Sequence, residues 1–121
     1  MLFWLKMEVV NVRVKYIRPK YQNLKEWMAD PDNIYIGRGG IVFIDEERFP
    51  KEPSPWANPF KTGNNILGRY KEYIVKKIDS KEVDINELRG NRLGCWCKQP
   101  NQYIPCHGDV LMELLNNISV L

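Results

Sequence analysis

The spacing of hydrophobic positions predicts four strands. Residues 8–14 (EVVNVRV) place Val10, Val12 and Val14 on one face, with polar side chains between them, as expected for a strand. Residues 33–38, 41–44 and 93–97 are short apolar runs bounded by glycine or charged residues, and we interpret each as a strand.

Helical spacing predicts two long helices and two short ones. Residues 64–79 and 107–117 repeat apolar side chains at intervals of three and four positions, so each should bury one side. Residues 23–29 predict a short helix that ends before Pro31, and residues 83–89 predict a helical turn that Gly90 stops.

Strands that alternate with helices predict an α/β fold. The 121 residues fit a single domain, a small layered structure with a mostly parallel, Rossmann-like sheet flanked by helices. Residues 45–61 hold four prolines and are expected to form a motif loop without regular structure. Residues 1–7 (MLFWLKM) are too short for a signal peptide or a membrane span, and they predict an edge strand or a segment for homodimerisation.

Charge and cysteine content narrow the class of protein. The net charge is +3, from 18 Lys and Arg against 15 Asp and Glu, which is compatible with a phosphate-bearing partner. The three cysteines are odd in number and closely spaced, unlike a disulfide framework. We therefore expect reduced thiols in a cytoplasmic protein that has no membrane partner.

All the cysteines and the single histidine fall within residues 95–107, where a strand ends and a helix begins. One interpretation is a closed zinc site formed by Cys95, Cys97, Cys106 and His107, which have the right donor types and number. The spacing departs from the usual paired knuckle, and the adjacent ligands would have to point apart. Zinc is therefore an alternative and not a requirement.

A second interpretation places an active site at the first turn of the last helix. Cys106, His107 and Asp109 are the catalytic candidates, because a helix N-terminus attracts anions and histidine titrates near neutrality. Gly108 would let a ligand approach the backbone. In a third interpretation the cysteines are core residues, Asp109 caps the helix and His107 lies at the surface.

Two further segments carry candidate ligand-binding residues. Gly37 and Arg38 lie in a glycine-rich stretch (GRGG) that permits close backbone approach, although a tight turn explains it equally well. Asn11 and Arg13 lie on one face of the first strand, where they are either solvated or part of a site.

The proline-rich loop contains the segment PWANPF. Trp56 and Phe60 either fill the core or form an aromatic wall for a flat ligand such as a base. Asn58 is harder to explain by packing, and we take it as a ligand-orienting residue.

The segments NIYIGRGG, PWANPF, ELRG-x-RLGCWC and PCHGDVLMEL, in this order, resemble the bacterial, archaeal and viral family called domain of unknown function 4326. The resemblance implies no particular activity. It implies these motif positions: Asn11, Arg13, Gly37, Arg38, Trp56, Asn58, Pro59, Phe60, Cys95, Cys97, Cys106, His107, Gly108 and Asp109. Residues 42–55, between IGRGG and WANPF, form a longer insert than such sequences usually have, so the resemblance does not define the shape of the pocket mouth.

Together these features lead us to expect a nucleotide- or nucleic-acid-directed enzyme of the hydrolase or glycosidic-bond type. Arg38 and the amides near Gly108 would hold phosphate, an aromatic ring would stack on a base, and His107 or Asp109 would transfer a proton. Two alternatives stay open: a non-catalytic, zinc-stabilised binding module, and a viral or phage protein that sequesters a nucleotide.

Overall fold

The computed structural model describes residues 8–96 and 106–119. The predicted association segment at residues 1–7 and the candidate ligand Cys97 lie outside the described residues. The elements in chain order are β1 (Glu8–Asn11), α1 (Val14–Ile17), α2 (Leu24–Ala29), β2 (Asn33–Tyr35), β3 (Val42–Ile44), β4 (Glu47–Phe49), α3 (Ile66–Asp79), a 3₁₀ helix (Ile85–Leu88), β5 (Arg92–Cys95) and α4 (His107–Ser119).

A parallel sheet of three strands organises the mixed α/β domain, in the order β1-β5-β2. Val9 pairs with Leu93, and Ile34 pairs with the same residue from the other side, so β5 is central. Because the strands are parallel, their carboxyl ends meet at one edge of the sheet, where α/β proteins commonly bind ligands.

Hydrophobic cores cover both faces of the sheet. Leu93 packs in one core with Ile74 of α3 and Leu111 of α4. Trp27 of α2 packs in the other core, next to Val12. Neighbouring residues of a strand point to opposite faces, which explains how consecutive positions of β5 serve the two cores. Within the described ranges, no helix is both long and apolar enough to cross a bilayer.

The long helices and the short helix α2 confirm the helical predictions. Asn23 caps α2, because its side-chain oxygen accepts a hydrogen bond from Glu26 N at 2.9 Å. The predicted strand at residues 8–14 is shorter than expected: the side chain of Asn11 accepts a bond from Arg13 N, and α1 then begins at Val14.

The prediction that residues 45–61 lack regular structure is wrong at their start. β3 and β4 pair as an antiparallel hairpin, in which Phe43 lies opposite Arg48. Asp45 and Glu46 form its tight turn, both with positive φ. The sequence Asp-Glu lacks the glycine or asparagine that usually signals such a turn, which is why the hairpin escaped prediction.

Candidate functional site

A cavity of about 510 Å³ opens at the carboxyl edge of the parallel sheet. Predicted site residues from four segments lie on its wall: Arg13, Gly37, Arg38, Asn58, Phe60, Cys95, Cys106 and His107. Further lining residues are Ile41, Lys61, Ile66, Leu67 and Trp96. We call this space the strand-end cavity.

A chain of hydrogen bonds holds the glycine-rich segment in place. Trp96 Nε1 donates to the hydroxyl of Tyr35 at 2.7 Å, and that hydroxyl donates to the carbonyl of Arg38 at 2.6 Å. A side chain at Gly37 would collide with the Tyr35 ring, since an added Cβ would lie 2.5 Å from its hydroxyl oxygen. Because residue 37 is glycine, the Tyr35 ring can lie against its backbone and bond to the Arg38 carbonyl. The exposed Arg38 side chain then lies at the cavity.

The asparagine-aromatic segment forms a second wall. Asn58 Oδ1 accepts a hydrogen bond from Phe60 N at 2.9 Å, an Asx turn that shapes the loop. The half-buried Phe60 ring contacts Tyr73 edge to face, with centroids 5.9 Å apart. The backbone bond from Ser54 N to Gly37 O, at 3.0 Å, joins this loop to the glycine-rich segment.

Trp56 does not lie on the cavity wall, contrary to its predicted ligand-binding role. It is 3% exposed and belongs to the core cluster beneath α3. Its carbonyl accepts a bond from the Tyr70 hydroxyl at 2.7 Å. Core packing, the other interpretation of this side chain, accounts for its position, and Phe60 and Trp96 are the aromatic residues at the cavity.

The two described cysteines meet at the floor of the cavity. Cys95 ends β5 and Cys106 precedes α4, and their sulfur atoms lie 3.6 Å apart as thiols. Both are buried, at 1% and 3% exposure. The fold thus brings together two thiols that are eleven positions apart in the sequence.

His107 is buried and held by a backbone carbonyl, in contrast to the interpretation that put it at the surface. Its Nε2 lies 2.6 Å from Ile36 O, and its ring contacts Tyr70 edge to face. A carbonyl oxygen only accepts, so Nε2 carries the proton. Burial lowers the pKa of His107 below its ordinary value, so the ring is neutral at pH 7 and its Nδ1 is an acceptor.

Gly108, Asp109 and Asn11 do not line the strand-end cavity. Asp109 Oδ2 accepts a bond from Cys106 N at 2.8 Å, as a capping residue does. An added Cβ at Gly108 would lie 2.7 Å from Val9, so glycine lets α4 approach β1. Asn11 instead lines a different cavity, together with the other residues of β1.

The predicted zinc ligands are only partly together. Among the described residues, no group of three or more His, Cys, Asp or Glu side chains can hold a metal ion. The separation of the Cys95 and Cys106 sulfurs fits two ligands of one tetrahedral zinc, for which Zn–S bonds of about 2.3 Å give about 3.8 Å. Nε2 of His107 is engaged by Ile36 O, so this residue could bind a metal ion only through Nδ1.

A family model described as Domain of unknown function (DUF4326) matches residues 20–117. The chain belongs to this family. An uncharacterized protein of Acanthamoeba polyphaga mimivirus is 35% identical over 97 residues, covering 68% of this chain and 65% of that protein. An uncharacterized 12.4 kDa protein from the nrdA-td intergenic region of Enterobacteria phage T4 is 36% identical over 52 residues, which cover 40% of this chain and 44% of that protein. No solved structure matches the chain.

The DUF4326 match begins at residue 20, so Asn11 and Arg13 lie outside it although Arg13 lines the cavity. Sequence reasoning missed Lys61 and Trp96 as lining residues. Trp96 directly follows Cys95, so strand alternation predicts that its side chain points to the face opposite the Cys95 thiol. Lys61 directly follows Phe60 and is exposed. A cationic side chain next to an aromatic motif was the sequence feature that could have indicated its place at the cavity.

Proposed function

We propose that this DUF4326 protein binds a nucleotide in the strand-end cavity and acts on it as a hydrolase or glycosidic-bond enzyme. The observation that carries the proposal is the convergence of three cationic side chains with aromatic rings around a thiol and imidazole floor. The cations are Arg13, Arg38 and Lys61, and the described lining residues include no carboxylate. Such a surface favours a ligand with a phosphate at one end and a flat apolar group at the other.

Size and position support the proposal. A volume of about 510 Å³ lies within the range of roughly 300–1,000 Å³ common for small-molecule sites. A Rossmann-like arrangement, which we propose as the closest description of the sheet, binds its ligand at this same carboxyl edge. In the proposed complex, the nucleotide lies in the strand-end cavity with its phosphate against Arg38 and its base against Phe60.

We assign proton transfer to His107. With Nε2–H held by Ile36 O, the neutral ring offers Nδ1 as the proton acceptor. In a hydrolysis, Nδ1 accepts a proton from the attacking water and returns it to the leaving group. Asp109 then acts through the helix, by orienting Cys106 and His107, and does not touch the substrate.

Binding is tested by thermal shift and calorimetry with nucleotides, nucleosides and short DNA, followed by chromatography of each hit for products. Arg38→Ala should weaken nucleotide binding roughly 10-fold or more, because a charge-assisted phosphate contact is lost. Arg89→Ala, which removes an exposed arginine away from the cavity, should leave binding unchanged. His107→Gln should bind nucleotide and release no product.

These measurements also separate the alternatives. Nucleotide that stabilises the protein and is recovered unchanged indicates sequestration without catalysis. The 3.6 Å separation of the sulfurs favours the zinc module as a second candidate. One equivalent of zinc in purified protein, with unfolding on chelation, would support that module, and the absence of any nucleotide-induced stabilisation would refute the leading proposal.

A further inference from the structure

Exposed apolar side chains are concentrated beside the strand-end cavity. Among the described residues, the exposed large hydrophobic side chains are Val14, Ile41 and Phe43, at 43%, 40% and 66% exposure. Ile41 lines the strand-end cavity itself. Val14 and Phe43 line a neighbouring cavity of about 460 Å³, which we call the hairpin cavity because β3 forms one of its walls.

The two cavities adjoin each other. Arg13 and Trp96 line both of them, so a ligand that fills the strand-end cavity reaches the edge of the hairpin cavity. The indole of Trp96 is fixed at this junction by its hydrogen bond to Tyr35. A second residue of a polymeric ligand would therefore pass between an oriented aromatic ring and a guanidinium group.

The hairpin cavity, like the strand-end cavity, is lined by more cationic than acidic side chains. Arg13 and Arg18 line it together with one acid, Asp45. Asp45 forms an ion pair with Lys25 at 3.7 Å, which offsets its charge. The Phe43 ring is supported from the opposite strand by Arg48, whose guanidinium lies 4.7 Å from the ring centre. Cations beside the exposed Phe43 ring and the half-buried Trp96 ring suit a single strand of nucleic acid, whose phosphates and base faces repeat along the chain.

We infer that the hairpin cavity is a second nucleotide subsite, and that the ligand is a single-stranded oligonucleotide or strand end. This inference rests on the proposed function, since it extends the nucleotide of the strand-end cavity by at least one residue. Phe43 stacks on the second base, and Arg13 contacts the phosphate between the two nucleotides. The hairpin formed by residues 42–49 is the part of the chain that determines the length of the ligand.

The inference is tested by competition binding with thymidine oligonucleotides of one, two and four residues at a fixed salt concentration. The four-residue probe should bind roughly 5- to 100-fold tighter than the mononucleotide, as expected for one added stacking contact. Phe43→Thr, which retains a strand-forming residue, should remove most of this gain and leave mononucleotide affinity unchanged. Val14→Ser provides a second variant in the same cavity, outside the hairpin.

Arg89→Ala serves as the matched control, because it removes a positive charge that lies outside both cavities. Equal affinity for all three probes, with mononucleotide binding that depends on Arg38, would overturn the second subsite and leave the proposed function standing. Absence of binding by every probe would overturn both. Self-association of the protein that Phe43→Thr abolishes, without any gain in affinity with probe length, would identify the surface as a protein interface and reject the inference.

Discussion

At the scale of single residues, His107 has a structural role and, in the proposed function, a chemical one. Its buried ring donates to Ile36 O and packs against Tyr70. The same environment keeps the ring neutral, because an imidazolium would lose its hydration in the core. The hydrogen bond from His107 to Ile36 therefore links α4 to the segment after β2, while the unprotonated Nδ1 of the same ring is an acceptor.

The stability of the protein should decrease as the pH falls below about 6.5. The pKa of His107 is lowered in the folded state, so the unfolded chain takes up a proton first and the free energy of unfolding declines from pH 6.5 towards the folded pKa. The slope is at most about 1.4 kcal/mol per pH unit. The chain has one histidine, so melting temperatures measured between pH 7.5 and 5 should show this decline, and His107→Gln should flatten it. Equal slopes in the two proteins would contradict the assignment.

Several residues of the site were predictable, and the reasons differ. Arg38 and His107 are residue types whose chemistry is specific, and they lie at the end of a predicted strand and the start of a predicted helix. The positions of Phe60 and Trp56 were not predictable in the same way, because an aromatic ring in a loop serves a core or a ligand equally well. Only tertiary packing decides between those two roles.

At the scale of elements, the start of α4 depends on Asp109. Cys106 occupies the position before the helix, where a thiol is a poor cap, and the Asp109 carboxylate accepts the Cys106 N–H instead. The carboxylate also lies near the positive end of the helix dipole. The helix start and the site floor are thus one local structure.

Asp109→Ala should lower the free energy of unfolding by about 0.5–2 kcal/mol, because a capping bond and a favourable charge are lost. Urea titration followed by circular dichroism measures this change. Asn117→Ala, at an exposed position near the end of the same helix, serves as the control and should change stability by less than about 0.5 kcal/mol. An unchanged unfolding midpoint in Asp109→Ala would show that the cap contributes nothing.

At the scale of the whole molecule, the central strand connects two hydrophobic cores. Gly94 lies where the Trp27 ring and Val12 approach the sheet, and an added Cβ would lie 2.4 Å from the Trp27 ring. Leu93, the preceding residue, packs in the opposite core. The α/β class and the parallel sheet could be predicted from alternating hydrophobic periods, whereas the strand order could not, because parallel pairing depends on contacts far apart in sequence.

Gly94→Ala should destabilise the protein by roughly 1–3 kcal/mol, because the methyl group overfills a packed core. Thermal and urea unfolding measure the loss. The double variant Gly94→Ala with Trp27→Phe should be more stable than the sum of the single changes predicts, since the smaller ring leaves room for the methyl group. Strict additivity would contradict the close contact.

The central position of β5 has a consequence for biosynthesis. β1 and β2 pair with β5, and they lie on its two sides. A nascent chain that has not yet released residues 92–95 from the ribosome cannot assemble this sheet, whatever the helical propensity of its earlier segments. Until then β1 and β2 lack their shared neighbour, so we expect incomplete chains that end before β5 to aggregate more readily than the full chain.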